Sequence, residues 1–240
     1  MQNEQKQNKI SSMKNIVVVG AGRGIGLATV KALQNENLFT ISHQLTNELA
    51  DFNTAFYPLD AAKDDLALLA DLPEVIHGIV YCPGSINLRP FNRLTAQDFL
   101  NDFQQNVLGA IAVIQYLLAR LKKADGASIV LFSSVAVKMG MPFHASIAAA
   151  KGAVEGLAKS LAAELATSKI RVNVIAPSLT DTPLASALLS SDEKREAAAK
   201  RHPLNSIGSA DEIGQLVAFL IQDNSRWITG QVIGVDGGIG

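Results

Sequence analysis

A run of mostly β-branched apolar residues, Asn15-Ile16-Val17-Val18-Val19, passes directly into Gly20-Ala21-Gly22-Arg23-Gly24-Ile25-Gly26 and then into a helical pattern from Leu27 to Leu33. No other stretch constrains the fold as strongly as this strand, glycine turn and helix in succession. Glycines let the chain turn sharply and bring its backbone close to a ligand, while the helix that follows offers unpaired amides to an anion such as a pyrophosphate. The strand before and the helix after separate such a turn from a chance run of glycines. A tight turn without a ligand is the alternative.

The pattern repeats along the chain. Strand-like runs at 15–19, 38–42, 54–57, 76–82, 127–132, 170–175 and 231–235 alternate with helical segments at about 24–35, 64–70, 95–121, 145–166 and 210–221. Such alternation predicts an α/β fold, a doubly wound parallel sheet of about seven strands covered on both faces. No internal repeat or Pro/Gly/Ser linker divides the chain, so a single domain is expected over 13–240, after a polar tail at 1–12 expected to be disordered. With 48% hydrophobic residues in 240, one sizeable core can be buried. A formal net charge of −1 provides no basic field for nucleic acid or an anionic membrane. The longest Ala-rich stretch, 145–166, is interrupted by Lys151, Glu155, Lys159 and Glu164, which argues against a membrane span. The single cysteine, Cys82, excludes an internal disulfide and fits a reducing, cytoplasmic setting, and no metal site is expected.

Several later motifs fall in a fixed order. Ser133-Ser134 follows the fifth strand, and Lys151 lies on a helix crowded with Ala148, Ala149, Ala150, Gly152, Ala153 and Gly156. Asn106 stands in Gln105-Asn106-Val107-Leu108-Gly109, and Val235-Asp236-Gly237-Gly238 closes the last strand. With the spacing Gly20-x-x-x-Gly24-x-Gly26, these make the chain resemble the classical short-chain dehydrogenases over about residues 14–238. The resemblance implies a Rossmann-type, nicotinamide-dependent oxidoreductase acting on a small molecule. Gly20, Gly24, Ile25 and Gly26 would face the pyrophosphate, and Asp60 the adenine amino group. Gly84 would allow close approach to the nicotinamide ribose, to which Lys151 would donate. Ser134 would hold the substrate oxygen, and Asn106 would kink its helix and hold a water in a proton relay to Lys151. A surface asparagine is the alternative for Asn106, and an N-cap for Asp60. Pro177, Thr180 and Thr182 match positions near the carboxamide and pyrophosphate, 183–201 the family's mobile lid, and the helices around 95–121 and 145–166 its interface in dimers and tetramers.

The chain also departs from that pattern. The family tyrosine, thirteen residues after Ser134 and four before Lys151, is replaced by Ile147, which has no proton to give. Tyr81-Cys82-Pro83-Gly84 stands where the family has Asn-Asn-Ala-Gly, and Ser178 stands for a glycine. His144, three residues before Ile147, is a candidate replacement donor because imidazole titrates near neutrality; a capping or solvated histidine is the alternative, and Tyr81 is a weaker candidate. The second strand ends in Ser42-His43 with no acid to accept ribose hydroxyls. Arg23, Ser42 and His43 would then favour NADP(H) over NAD(H) through a 2′-phosphate, unless Arg23 is only a solvated loop residue. The sequence thus predicts an NADP-dependent oxidoreductase of a carbonyl/alcohol pair with an atypical donor. A catalytically inactive dinucleotide-binding sensor or oligomer partner, and a lyase or isomerase on the same fold, remain open.

Overall fold

The computed structural model describes residues 13–240, so the tail expected at 1–12 lies outside them. Seven strands form one wholly parallel sheet: β1 (Asn15–Val19), β2 (Asn37–Ser42), β3 (Thr54–Pro58), β4 (Gly78–Tyr81), β5 (Ala127–Phe132), β6 (Ile170–Pro177) and β7 (Val232–Val235). Their spatial order is β3-β2-β1-β4-β5-β6-β7. Side chains alternate across a strand, so Ile16 and Val18 pack into one face of the sheet and Val17 and Val19 into the other. Both faces are covered, which is why β1 reads as an unbroken apolar run. Burying each such side chain contributes roughly 1.5–3 kcal/mol.

Helix α1 (Gly24–Ala32) and the last long helix, Ala210–Ile221, cover one face. The other face carries α2 (Ala96–Phe103), α3 (Gly109–Lys123) and α4 (Ala145–Glu164). The continuous helix expected at 95–121 is interrupted by a π-helical segment, Gln104–Leu108, between α2 and α3. The helix expected at 64–70 is a single 3-10 turn, Leu66–Leu69, with the Asp65 carboxylate accepting from Ala67 N–H. Capping boxes begin α2 at Thr95 and Asp98 and the last long helix at Ser209 and Glu212.

The segment 183–201 contains a 3-10 stretch, Pro183–Leu189, and α5 (Asp192–Ala199), which share a small cluster of Ala185, Leu189 and Ala198. Its base is held by pairing of Thr180–Asp181 with Gly208–Ser209 and by Arg195, whose guanidinium forks onto Asp181 at 2.7 and 3.1 Å. Among the described residues no helix is long and apolar enough to cross a membrane.

Candidate active site

The order in which successive strands are added across the sheet reverses between β1 and β4, and a cleft of about 470 Å³ opens at the carboxyl ends of these strands. Of the residues the sequence selects for a cofactor, Gly20, Arg23, Gly24, Ile25, Gly26, Ser42, His43, Asp60, Gly84 and Thr182 line it. Pro177, Thr180 and Lys151 do not; Thr180 is buried and donates to Ser178 O at 3.0 Å. Gly20 and Gly24 have φ of 77° and 56°, a region that strains any other residue. A Cβ on Gly26 would stand 2.1 Å from Gly20 O, so α1 can leave the turn this tightly only with glycine there. Arg23 is the N-cap of α1 but makes no side-chain capping bond. The first amides of α1 therefore remain available to an anion, and with the glycine cradle they fit a dinucleotide pyrophosphate.

At the inner end of the cleft, Gly84 separates two polar groups. A Cβ there would stand 3.6 Å from Asn106 Oδ1 and 3.7 Å from Lys151 Nζ. Lys151, on α4, is 8% exposed and donates to Phe132 O at 2.9 Å. Burial lowers its ammonium to about 8, against opposing contributions from Cys82 and Asp102. Asn106 lies in the π segment, where Nδ2 donates to Asp102 O at 2.8 Å and Ser85 Oγ at 3.2 Å. The two serines after β5 divide: Ser133 donates to Glu155 Oε1 at 2.5 Å, whereas Ser134 caps the short helix Val135–Met139 by accepting from Ala136 N–H at 3.2 Å. The Ser134 hydroxyl accordingly keeps its own hydrogen unengaged among the described residues. Ile147 lies one turn before Lys151 on α4 and is 7% exposed.

A family model described as enoyl-(acyl carrier protein) reductase matches residues 20–240. The chain is 33% identical to a tropinone reductase homologue of Arabidopsis thaliana, over 94% of this chain and 92% of that one. It is 32% identical to a 3-oxoacyl-(acyl-carrier-protein) reductase of Thermotoga maritima, over 94% and 97%. A short chain dehydrogenase family protein from Francisella tularensis superposes with a TM-score of 0.85 at 30% identity, covering 95% of this chain and 99% of that one. The chain belongs to the short-chain dehydrogenase/reductase family. It is an oxidoreductase of that family, whose members bind NAD(P).

Within this short-chain dehydrogenase/reductase, the two residues considered as replacement donors stand apart from Lys151 in their bonding. His144 immediately precedes α4, and its Nδ1 lies 2.7 Å from Pro142 O; among the described residues no hydrogen bond joins it to Ser134 or Lys151. Tyr81 is buried, and its hydroxyl donates to Gln105 O at 2.8 Å. Burial also pushes that hydroxyl well above its ordinary range, which makes it a poor acid. The Cys82 thiol, also raised by burial, to about 12, is inert at neutral pH.

At the outer end of the cleft, Ser42 donates to Gln44 O at 2.8 Å, and Thr46 donates to Gly22 O at 2.9 Å, bracing the glycine turn. Asp60 does not cap the 3-10 turn that follows it. Its Oδ1 accepts from Ala62 N–H at 3.0 Å, and its Oδ2 lies 3.1 Å from Lys63 Nζ and 3.4 Å from His43 Nε2. Burial pushes the Asp60 carboxyl up, but the Ala62 amide, Lys63 and His43 outweigh it and hold the group below its ordinary value. Lys63 went unnoticed in the sequence, where the only signal is a lysine three residues after an aspartate. Ser85 and Asp102, the other missed residues, belong to no motif.

Proposed function

We propose that this enzyme reduces the carbonyl group of a small molecule, or oxidises the corresponding alcohol, with NADP(H), and that Lys151 supplies the proton that a tyrosine supplies elsewhere in the family. The observation that carries this reading is Lys151 itself, a buried ammonium lowered to about 8, beside the same gap at Gly84 as Asn106 Oδ1. A bound nicotinamide would supply hydride to the carbonyl carbon or accept it from the alcohol. Ser134 donates its free hydrogen to the substrate oxygen and orients it. As the C=O π bond breaks, Lys151 gives that oxygen a proton and becomes a neutral amine. In the reverse direction the amine takes the proton back. His144 is the second candidate donor, supported by its place at the start of α4.

Arg23 supports the cofactor preference because it is exposed at the cleft and makes no ion pair among the described residues. Lys63 adds positive charge and His43 a ring nitrogen at the outer end, where Asp60 is already bonded to its neighbours. We also infer a homo-oligomer. Leu100, Phe103 and Leu108 are exposed along α2 and the π segment, and a Cβ on Gly156 of the adjacent α4 would meet nothing within 4 Å.

The test is NADPH oxidation across a panel of ketones and aldehydes, with wild type, Lys151→Met and His144→Ala compared on any substrate found. Turnover lost in Lys151→Met and retained in His144→Ala is expected. The reverse pattern assigns the proton to His144. A wild type that binds NADPH tightly but turns over nothing supports the inactive binding protein instead.

A further inference from the structure

The direction in which Asn106 points is set by two residues outside every motif. An amide nitrogen carries two hydrogens, and both of those on Asn106 Nδ2 are used, one on Asp102 O at 2.8 Å and one on Ser85 Oγ at 3.2 Å. Ser85 then passes its own hydrogen to Asp102 Oδ1 at 2.5 Å. The chain of donors runs one way, from Asn106 through Ser85 to the Asp102 carboxylate. It leaves Asn106 Oδ1 on the opposite side, buried and without a partner among the described residues, 3.6 Å from the point that a Gly84 Cβ would occupy, with Lys151 Nζ 3.7 Å from the same point.

Stability alone does not account for Asp102. It is 3% exposed, on the face of α2 that packs toward α4, and its Oδ2 also has no partner among the described residues. A carboxylate at that depth is costly unless its charge is used, and an apolar residue would pack there more favourably. The titratable groups near this assembly are Lys151 on α4 and Cys82 and Tyr81 at the end of β4.

We propose that Asp102 and Ser85 are positioning residues that lock the Asn106 amide so that its oxygen is presented to the Lys151 ammonium across the gap at Gly84. The lock keeps an acceptor, not a donor, facing Lys151. An amide turned the other way would set N–H against N–H. The proposal rests on the reading of Lys151 as the proton donor, but the lock can be measured in the cofactor-free protein without any turnover.

Side-chain amide exchange of Asn106, followed by NMR, is slow in the wild type if the lock exists. Ser85→Ala should speed it about ten-fold, the scale of one net hydrogen bond, and Ser85→Thr, which keeps the hydroxyl, should restore it. Asp102→Asn retains the shape of the acceptor but removes its charge. It should move the Lys151 titration, read at the lysine ε-carbon, to lower pH. Unchanged exchange in Ser85→Ala overturns the lock, and a Lys151 titration unmoved in Asp102→Asn overturns the role given to the carboxylate. Because Ser85 is only half buried, its variants test the lock even if those of Asp102 do not fold. On any substrate turned over by the wild type, Ser85→Ala should lower kcat without changing the Kd for NADPH. A wild type inert toward every carbonyl removes the reductase reading and leaves the exchange result standing.

Discussion

At the scale of single residues, Lys151 carries opposed demands. Its folded-state value of about 8 lies below the ordinary 10.5, so the unfolded chain holds this proton more tightly. Between those two values the unfolded state binds more protons, and stability rises with pH; below about 8 the whole penalty is present. That penalty is on the order of 3 kcal/mol. Lys151→Met is therefore expected to abolish turnover while raising stability at neutral pH by about 1–3 kcal/mol, measured by urea denaturation. If Lys151 gives the proton, kcat for reduction should be level below pH 8 and fall above it. Ile147→Tyr should place a phenol one turn from Lys151, and a rate increase on the same substrate would identify the missing hydroxyl as the limiting feature. The spacing from Ser134 to Lys151 makes the position of this gap readable in the sequence. The bond from His144 to Pro142 O was not readable, because it depends on the path of the loop before α4.

Among the elements, the π segment Gln104–Leu108 is not legible in the helical period; only the resemblance points to a kink there, at Asn106. Its residues continue the helical pattern on either side, so 95–121 reads as one helix. The extra residue itself shows in what packs against it. The Tyr81 hydroxyl reaches from the end of β4 to Gln105 O, and a Cβ on Gly109 would lie 2.1 Å from that hydroxyl. Tyr81, read as a weak acid candidate, is thus a strut between a strand and a distorted helix. Tyr81→Phe should cost about 1 kcal/mol, seen as a lower urea midpoint with an unchanged slope. Gly109→Ala forces the hydroxyl aside and should cost more, with loss of NADPH affinity if the segment carrying Asn106 shifts. The strands were easier to read than the helices. In a parallel sheet covered on both faces they are continuous apolar runs, whereas the 3-10 turn at Leu66–Leu69 arises from its Asp65 cap within a segment that otherwise reads as helix.

For the molecule as a whole, the fold was legible because its signals reinforce one another: seven apolar runs, a glycine turn after the first, and ordered motifs after the fifth, sixth and seventh. The proposed cofactor preference is less direct, since it depends on charges brought together from separate loops. Titration should give tighter binding of NADPH than of NADH, and Arg23→Ala should weaken NADPH more than NADH; equal losses would make Arg23 an unspecific contact. The site has a further consequence in time. Gly20 follows β1, Gly84 follows β4, Asn106 and Lys151 come from helices on either side of β5, and Thr182 lies beyond β6. Contacts so distant in sequence form slowly, and a nascent chain lacks one wall of the cleft until Thr182 has been made. The central strands can pair well before there is anything for a cofactor to bind, so newly made protein should pass through an ordered stage that NADPH cannot rescue.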